Sequence, residues 1–211
     1  MSGSPNIGLF GGAFDPPHLG HRHILLQAAK SLGVSQWLIM PTGQAVHREA
    51  TQTPAQHRLR MCELAFSHLP DLQVDVSDFE IKQDKPNYTV DTLHALKVQY
   101  PDRHWLVLVG QDQWKLFKTW KNWSELLEMA QFVVAQRDDN PVNEIVASTS
   151  LSTSTSSKRP PIGMKFKPHP ASSTILRQDL SNTNTKVQQH PWLEPTVQSY
   201  ITEHHLYSGT T

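Results

Sequence analysis

The sequence predicts an α/β protein whose doubly wound, Rossmann-like parallel sheet carries helices on both faces, followed by a small helical part at the carboxyl end. Short apolar runs alternate with segments whose apolar residues recur at helical spacing, which is typical of such a sheet. Residues 105–109 are apolar throughout, as expected of a strand buried on both faces. Right-handed crossovers then favour the doubly wound arrangement.

The elements can be predicted in chain order. Strands are predicted at residues 7–10, 37–40, 72–76, 105–109 and 132–135. Helices are predicted at 21–32, from 53, at 89–100, around 126–127, from 172 and at 195–205. Because ligands of such sheets bind beyond the carboxyl ends of the strands, the loops after Phe10, Met40, Val109 and Ala135 are expected to line the site.

Several helix ends carry their own signals. Gly33 is placed to end the first helix. In the second helix, Thr53 fits the N-cap, Pro54 the first helical position and Gln56 the returning member of a capping box. Thr89 is placed to cap the third helix.

Length and composition indicate one domain over residues 1–211. Residues 138–161 are rich in Ser, Thr, Asn and Pro and are predicted to form a mobile insertion, with order resuming near Phe166. The lone cysteine, Cys62, excludes an intrachain disulfide framework and is expected to be a small buried hydrophobe.

Charge and hydropathy exclude other classes. Nineteen basic and nineteen acidic residues give zero formal charge, which disfavours a nucleic-acid-binding protein. The amino-terminal segment has neither the basic nor the apolar part of a signal peptide, and no run approaches the ~20 apolar residues of a membrane helix. We therefore expect a cytoplasmic protein without nucleic-acid or membrane partners.

The segment between the first strand and the first helix carries the strongest functional signal. It reads Gly11-Gly12-Ala13-Phe14-Asp15-Pro16-Pro17-His18-Leu19-Gly20-His21. Glycines lack a Cβ and let the backbone approach a bulky anion, and amides here and at the helix start can bind phosphate. His18 and His21 are three residues apart, so both can point to one side of the first turn and donate to phosphate oxygens.

Other phosphate- and metal-binding patterns fit this segment less well. It is neither a Walker A loop nor a Gly-x-Gly-x-x-Gly fingerprint. A zinc site needs at least three protein ligands, and no Cys or carboxylate has convincing spacing to the histidines. A tight turn with two solvent-facing histidines would explain Gly12 and Pro16, but not two glycines, two prolines and two histidines at one junction.

This segment resembles the Gly-Gly-x-Phe-Asp-Pro-x-His-x-Gly-His signature of the nucleotidylyltransferase superfamily, and the wider chain resembles its bacterial nicotinate-nucleotide adenylyltransferases. The similarity covers about residues 6–137 and 166–207. It is carried further by Met40-Pro41 with His47-Arg48, Arg58-x-x-Met61-x-x-Leu64, Tyr88-Thr89-Val90-Asp91-Thr92-Leu93, Val109-Gly110-Gln111-Asp112 with Thr119-Trp120, and Ser172-Ser173-Thr174-x-x-Arg177. The sequence departs at Ala13, where the family usually has Thr, and at Ala171, where Ile commonly precedes the serines.

The resemblance implies two sets of contacts, with His18, His21 and Arg177 as the catalytic residues. ATP would be bound by Gly11, Gly12, Ala13, Phe14, His18, His21, Gly110, Asp112, Ser172, Ser173 and Arg177. Nicotinate mononucleotide would be bound by His47, Arg48, Tyr88, Thr89, Trp120 and Arg137. The residue chemistry agrees, since a guanidinium can pair with phosphate oxygens in a bidentate manner and a tryptophan offers a plane for stacking.

The resemblance also implies the reaction, which is transfer of AMP from ATP to nicotinate mononucleotide, with Mg²⁺ entering with ATP. Two alternatives within the fold stay open, namely a pantetheine-phosphate or FMN adenylyltransferase and a non-catalytic nucleotide-binding module. The segments Tyr88-Thr89 and Thr119-Trp120 argue against the first, and intact His18, His21 and Arg177 argue against the second. The oligomeric state is left open.

The Ser/Thr-rich insertion gives the first prediction. Replacing residues 140–157 with a short Gly/Ser linker should leave folding and activity intact, because this composition buries too little apolar surface to offset the entropy of ordering. Calorimetric melting and turnover of the shortened chain check it. A much lower melting temperature would show that the segment packs, and lost activity at unchanged stability would show that it covers the substrate.

Overall fold

The fold confirms the predicted α/β class. The computed structural model describes residues 6–44, 53–136, 160–182 and 189–208. Six strands form one sheet in which every pairing is parallel, in the order β3-β2-β1-β4-β5-β6. They are β1 (Asn6–Gly12), β2 (Gln36–Pro41), β3 (Gln73–Val76), β4 (His104–Gly110), β5 (Gln131–Gln136) and β6 (Ile162–Lys165). The strand order reverses between β1 and β4, so ligands are expected at their carboxyl ends.

Seven α-helices and one short 3₁₀-helix (Phe117–Thr119) lie in the described part of the chain. The α-helices are α1 (Leu19–Leu32), α2 (Ala55–Phe66), α3 (Thr89–Gln99), α4 (Gln111–Lys115), α5 (Trp123–Met129), α6 (Ser173–Ser181) and α7 (Pro195–Glu203). Gly33 ends α1 in the left-handed conformation, as predicted.

Side chains alternate between the two faces of the sheet and build two cores. Phe10 of β1 joins a cluster with side chains of α1, α2, α6 and α7, including Leu25, Leu176 and Ile201. Leu9, its neighbour in the chain, joins a second cluster with side chains of α3, α4 and α5. Helices therefore cover both faces of the sheet. A ligand can approach the sheet at the carboxyl ends of its strands.

The sixth strand was not predicted. In the described residues that follow position 159, a strand begins at Ile162, before the predicted Phe166, and β6 pairs with β5 from Val133↔Ile162 onward. The strand has only four residues, one of them Gly163, and lies half-buried at the sheet edge. A strand this short leaves little periodicity to detect in the sequence. The predicted insertion falls mostly on residues 137–159, which lie outside the described residues.

Two predicted helix caps were wrong. The N-cap of α2 is Pro54, and its start has no side-chain cap, because Thr53 is buried and uses its backbone for contacts with Asp15 and Arg58. The N-cap of α3 is Tyr88, and Thr89 is its first helical residue. In the described residues, no helix has both the length and the apolar character needed to cross a bilayer. The cytoplasmic location stays a prediction.

One buried carboxyl group makes the stability of the fold depend on pH. Glu80 lies between β3 and α3, is 8% exposed, and its Oε1 accepts a hydrogen bond from Thr92 Oγ1 at 2.8 Å. Burial raises its pKa from 4.5 to about 7, and the bond from Thr92 offsets this only in part. The folded state therefore binds the proton more tightly. The contribution of protonated Glu80 to the stability of the fold is fully present below pH 4.5 and is lost as the pH rises through 7.

We predict that Glu80→Gln melts at a higher temperature than the parent protein at pH 8 and close to it at pH 4.5. The neutral amide can still accept from Thr92 and has no charge to desolvate, so the gain at pH 8 is at most roughly 3 kcal/mol. Thermal melts of both proteins from pH 4.5 to 8 measure the difference. Asp78→Asn, at an exposed carboxylate paired with Lys82, is the control and should not alter the pH profile. Parallel profiles for Glu80→Gln and the parent would contradict the prediction.

Candidate active site

Two histidines cap the first turn of α1 through reciprocal hydrogen bonds. His18 is the N-cap, and its Nδ1 accepts a hydrogen bond from the backbone N–H of His21 at 3.3 Å. The Nδ1 of His21 accepts in return from the backbone N–H of His18 at 3.2 Å. The two rings stack with their centroids 3.7 Å apart and their planes 25° apart. Their spacing thus brings them to the same side of the turn.

This cap fixes the ring chemistry of both histidines. A backbone N–H can only donate, so Nδ1 of each ring must be the acceptor. Each neutral ring therefore carries its proton on Nε2. An N–H donor of this kind can bond to a phosphate oxygen, and it sits at a helix amino terminus where the dipole also favours an anion.

Gly20 lets the stacked pair form. A Cβ at this position would lie 2.9 Å from Nδ1 and 3.0 Å from Cε1 of His18. It would also lie 3.3 Å from the Cβ of Ala171, in the segment before α6. The glycine between the two histidines is therefore a steric requirement of the cap.

The motif formed by residues 11–21, between β1 and α1, is anchored in the core through Phe14. This residue has a positive φ of 49° and is 2% exposed. Its ring makes edge-to-face contacts with Phe10, His21 and Phe66 at centroid distances of 5.4, 5.0 and 5.7 Å. Any contact of Phe14 with ATP would involve its backbone, because its side chain supports His21 from the core. If the segment were only a tight turn, His18 would face solvent, but it is only 4% exposed.

Asp15 connects the motif to the carboxyl-terminal part of the chain. It is 4% exposed, and its Oδ1 accepts from the Tyr207 hydroxyl at 2.6 Å. Burial, together with the charge of Asp15, raises the pKa of Tyr207 far above its ordinary value, so the phenol stays protonated as the donor. Oδ2 of Asp15 also accepts from the backbone N–H of Thr53 at 3.5 Å. Tyr207 was not predicted, because it belongs to no recognisable sequence motif.

Arg58 is buried in α2 and binds backbone carbonyls of three loops. Its guanidinium donates to the carbonyls of Ala13 at 2.8 Å, Thr53 at 3.1 Å and Gly43 at 3.3 Å. Burial lowers its pKa, and the charge of Asp15 opposes this effect. Arg58 is 1% exposed, whereas its apolar neighbour Leu59 is only half-buried. The helix therefore turns a cation inward to bind carbonyls at the carboxyl ends of β1 and β2.

The carboxyl-terminal Ser/Thr-x-x-Arg segment packs directly on the motif. The helix predicted from residue 172 is α6, with Ser172 at the N-cap position and no side-chain cap hydrogen bond. Ser173 Oγ donates to the carbonyl of Pro16 at 3.0 Å. Arg177 Nη1 donates to the carbonyl of Asp15 at 2.8 Å across 162 residues of sequence, and Nη2 donates to Thr174 Oγ1 at 3.4 Å. The predicted catalytic residues His18, His21 and Arg177 thus belong to one cluster around the loop that follows β1.

A second group of predicted residues meets on the other face of the sheet. Nζ of Lys121 lies 4.7 Å from the centroid of the Tyr88 ring and pairs with Asp91 at 3.0 Å. Trp120, next to Lys121, is half-buried with its ring 5.6 Å from that of Phe117. The Tyr88-Thr89 segment and the Thr119-Trp120 segment therefore converge. Lys121 was not predicted, and its charge is compensated by Asp91.

The remaining predicted residues fall into three groups. Gly11 and Gly12 are the last residues of β1, and pair with Met40 and Pro41 of β2. Gly110 is the N-cap of α4, where a Cβ would meet nothing within 4 Å, and Asp112 is exposed in its first turn. His47, Arg48 and Arg137 lie outside the described residues.

The zinc alternative finds no support in the described part of the chain. Among those residues, no group of three or more His, Cys, Asp or Glu side chains could hold a metal ion. Zinc in proteins needs at least three such ligands. The histidine pair is explained instead by capping and by its position at the amino terminus of α1.

Comparison with known proteins identifies the family of this chain. A family model described as cytidylyltransferase-like matches residues 9–179. A probable nicotinate-nucleotide adenylyltransferase of Methylibium petroleiphilum is 32% identical over 99% of this chain and 96% of its own length. One of Pseudomonas paraeruginosa is 33% identical over 95% of this chain and 96% of its own length. One of Albidiferax ferrireducens is 41% identical, over 62% of this chain and 65% of its own length.

Solved structures show the same fold. The nicotinic acid mononucleotide adenylyltransferase of Plasmodium falciparum complexed with NaAD matches with a TM-score of 0.77, covering 96% of this chain and 97% of that chain at 18% identity. At that identity the likeness concerns the fold alone. Taking the family model and the near full-length relatives together, the chain belongs to the cytidylyltransferase-like superfamily and, within it, to the nicotinate-nucleotide adenylyltransferases.

Proposed function

We propose that this chain transfers the adenylyl group of ATP to the 5′-phosphate of nicotinate mononucleotide, releasing pyrophosphate and forming deamido-NAD for NAD biosynthesis. The observation that carries the proposal is the convergence of His18, His21 and Arg177 on one loop at the carboxyl end of β1. The names of the near full-length relatives support the choice of substrates.

The chemistry suits a site built from hydrogen-bond donors. A phosphate oxygen of the mononucleotide attacks the α-phosphorus of ATP, a new P–O bond forms, and the bond to the bridging oxygen of pyrophosphate breaks. The attacking phosphate is already anionic at neutral pH, so the step needs neither a deprotonated side chain nor a covalent enzyme intermediate. Alignment and neutralisation of charge are then the main sources of rate. The Nε2–H groups of His18 and His21 would donate to the phosphates.

Magnesium would enter as part of the Mg–ATP substrate. Mg²⁺ retains several waters and is usually held by substrate phosphates with one or two carboxylates. Asp112, exposed at the carboxyl end of β4, is the carboxylate that we propose reaches the hydrated ion or the ribose.

Pyrophosphate release with ATP and a panel of acceptors tests the proposal. Nicotinate mononucleotide should support turnover, whereas phosphopantetheine and FMN should not. Efficient turnover with either of those acceptors would assign the chain to a different adenylyltransferase. Nucleotide binding without release of pyrophosphate from any acceptor would favour the non-catalytic module.

The histidine pair can be tested with variants that keep the helix cap. Asparagine is a strong N-cap residue, and glutamine is the usual partner at the third helical position. We predict that His18→Asn and His21→Gln lower turnover by roughly 10²–10³-fold, as expected for loss of one preorganised donor. Their melting temperatures should stay close to that of the parent protein.

Alanine at the same positions supplies the control for the cap itself. His18→Ala and His21→Ala remove both the donor and the cap, and should also lose about 0.5–2 kcal/mol of stability. Near-normal turnover in His18→Asn and His21→Gln would show that the pair is structural only, and would remove its catalytic assignment.

The acid substrate should be preferred over nicotinamide mononucleotide. The cation that lies over the Tyr88 ring, Lys121, is already paired with Asp91. We therefore assign recognition of the carboxylate to backbone amides near Asp112 to Trp120. Equal kcat/KM values for the acid and the amide would reject this preference.

Trp120 should serve the pyridine nucleotide rather than ATP. We predict that Trp120→Ala raises KM for nicotinate mononucleotide and leaves KM for ATP nearly unchanged, because the pyridine ring loses its stacking surface. Trp123→Ala is the matched control, since this half-buried indole also packs near Phe117, with centroids 6.3 Å apart. A larger effect of Trp120→Ala on ATP would show that Trp120 has been misplaced.

A further inference from the structure

Gln136 is a buried carboxamide whose polar atoms have no hydrogen-bond partner in the described part of the chain. It is the last residue of β5 and only 1% exposed. Its backbone carbonyl accepts from Phe166 N–H at 3.3 Å, whereas both Oε1 and Nε2 of its side chain lack a partner among the described residues. A buried polar group without a partner costs free energy, so its presence here calls for an explanation.

The position of Gln136 points to a ligand. It lines a narrow cleft together with His18, Phe166, Lys167, His169 and Ala171. The cleft lies at the carboxyl end of β5, on the edge of the sheet where ligands of this fold bind. Phe166 and Ala171 are buried and supply apolar walls, and His18 connects the cleft to the cap of α1.

The chemistry of the side chain restricts the ligand. A carboxamide presents a donor beside an acceptor, and this pair matches an aromatic edge that has an amino group next to a ring nitrogen. Adenine offers such an edge, and bidentate pairing of glutamine with adenine is a recurrent form of base recognition. The carboxylate of nicotinate offers acceptors only, and would leave Oε1 of Gln136 unpaired.

We propose that Gln136 pairs with the amino edge of the ATP base and selects adenine in the cleft beside His18. This inference rests on the proposed function, because it places the base next to the histidines assigned to the phosphates. The amide atoms are covered in this structure, so the cleft must widen to admit the base. Residues 167–170 have no regular secondary structure, and three of the four are exposed, so their side chains can move aside.

The test compares ATP with purine riboside triphosphate, which lacks the amino group. Gln136→Met keeps the shape of the side chain and removes its polar atoms. The parent protein should bind ATP more tightly than the analogue, and Gln136→Met should lose that difference. The expected loss of ATP affinity is roughly 5- to 150-fold, the range for one bidentate amide–base pair. Calorimetric titration without the pyridine nucleotide gives the affinities, so the result does not depend on adenylyl transfer.

Melting temperatures and a control variant distinguish a role of Gln136 in nucleotide recognition from a purely structural role. Gln136→Met should melt at or above the temperature of the parent protein, because it replaces an unpaired polar group with an apolar one of similar shape. Gln131→Met, at the opposite end of β5 where Nε2 donates to the carbonyl of Pro160, should leave the affinity for ATP unchanged. If Gln136→Met fails to fold, Gln136→Glu removes the donor with little change of shape and should also weaken ATP binding.

Two results would overturn the assignment. One is unchanged discrimination between ATP and the analogue in the Gln136 variants. The other is weakened binding of nicotinate mononucleotide with ATP binding unaffected, which would place the pyridine in the cleft. If pyrophosphate release fails while Gln136 still controls ATP selectivity, the reaction assignment is wrong and the role of Gln136 stands.

Discussion

The reciprocal hydrogen bonds between His18 and His21 are the constraint on which the rest of the site depends. Each imidazole accepts from the backbone N–H of the other residue, so the same contacts start α1, stack the two rings and set their tautomers. A change in either histidine therefore alters the helix start as well as the donors. Gly20 belongs to this arrangement, because a Cβ at its position would collide with His18.

Side chains from distant parts of the chain hold the loop around this cap in place. Arg58 binds carbonyls on one side of the loop, and Arg177 and Tyr207 bind Asp15 on the other. Both Asp15 and Arg58 are almost fully buried, so each depends on its partners to offset the loss of water. A loop fixed in this way can present its donors to a polyphosphate without reorganising, which is the property that electrostatic catalysis requires.

Much of this could be predicted from the sequence because the signals were local. The apolar run of β4, the end of α1 at Gly33 and the start of α6 near Ser172 each depend on a few neighbouring residues. The glycine- and histidine-rich motif marked the end of β1 because so many special residues stand together. Resemblance to a known family supplied what local signals could not, namely the association of Arg177 with that motif.

Other features could not be predicted because their causes are long-range. Thr53 has the chemistry of an N-cap, but tertiary contacts with Asp15 and Arg58 override that preference. Tyr207 gains its role only when the chain end folds back on Asp15. The sequence predicts that α1 starts at His21, whereas the helix starts at Leu19 after the His18 cap, because histidine is not among the usual capping residues. Gln136 has an ordinary sequence context, and its unpaired amide is visible only in three dimensions.

The most direct test of this account is the tautomeric state of His18 and His21, measured by ¹⁵N NMR of the imidazole nitrogens in the ligand-free protein. In the neutral form of both rings, the account predicts an unprotonated Nδ1 that accepts from the backbone and a proton on Nε2. Addition of Mg–ATP should then change the Nε2 shifts much more than the Nδ1 shifts. A proton on Nδ1 of either neutral ring would contradict the cap, and unchanged Nε2 shifts at saturating nucleotide would contradict the role of the pair in phosphate binding.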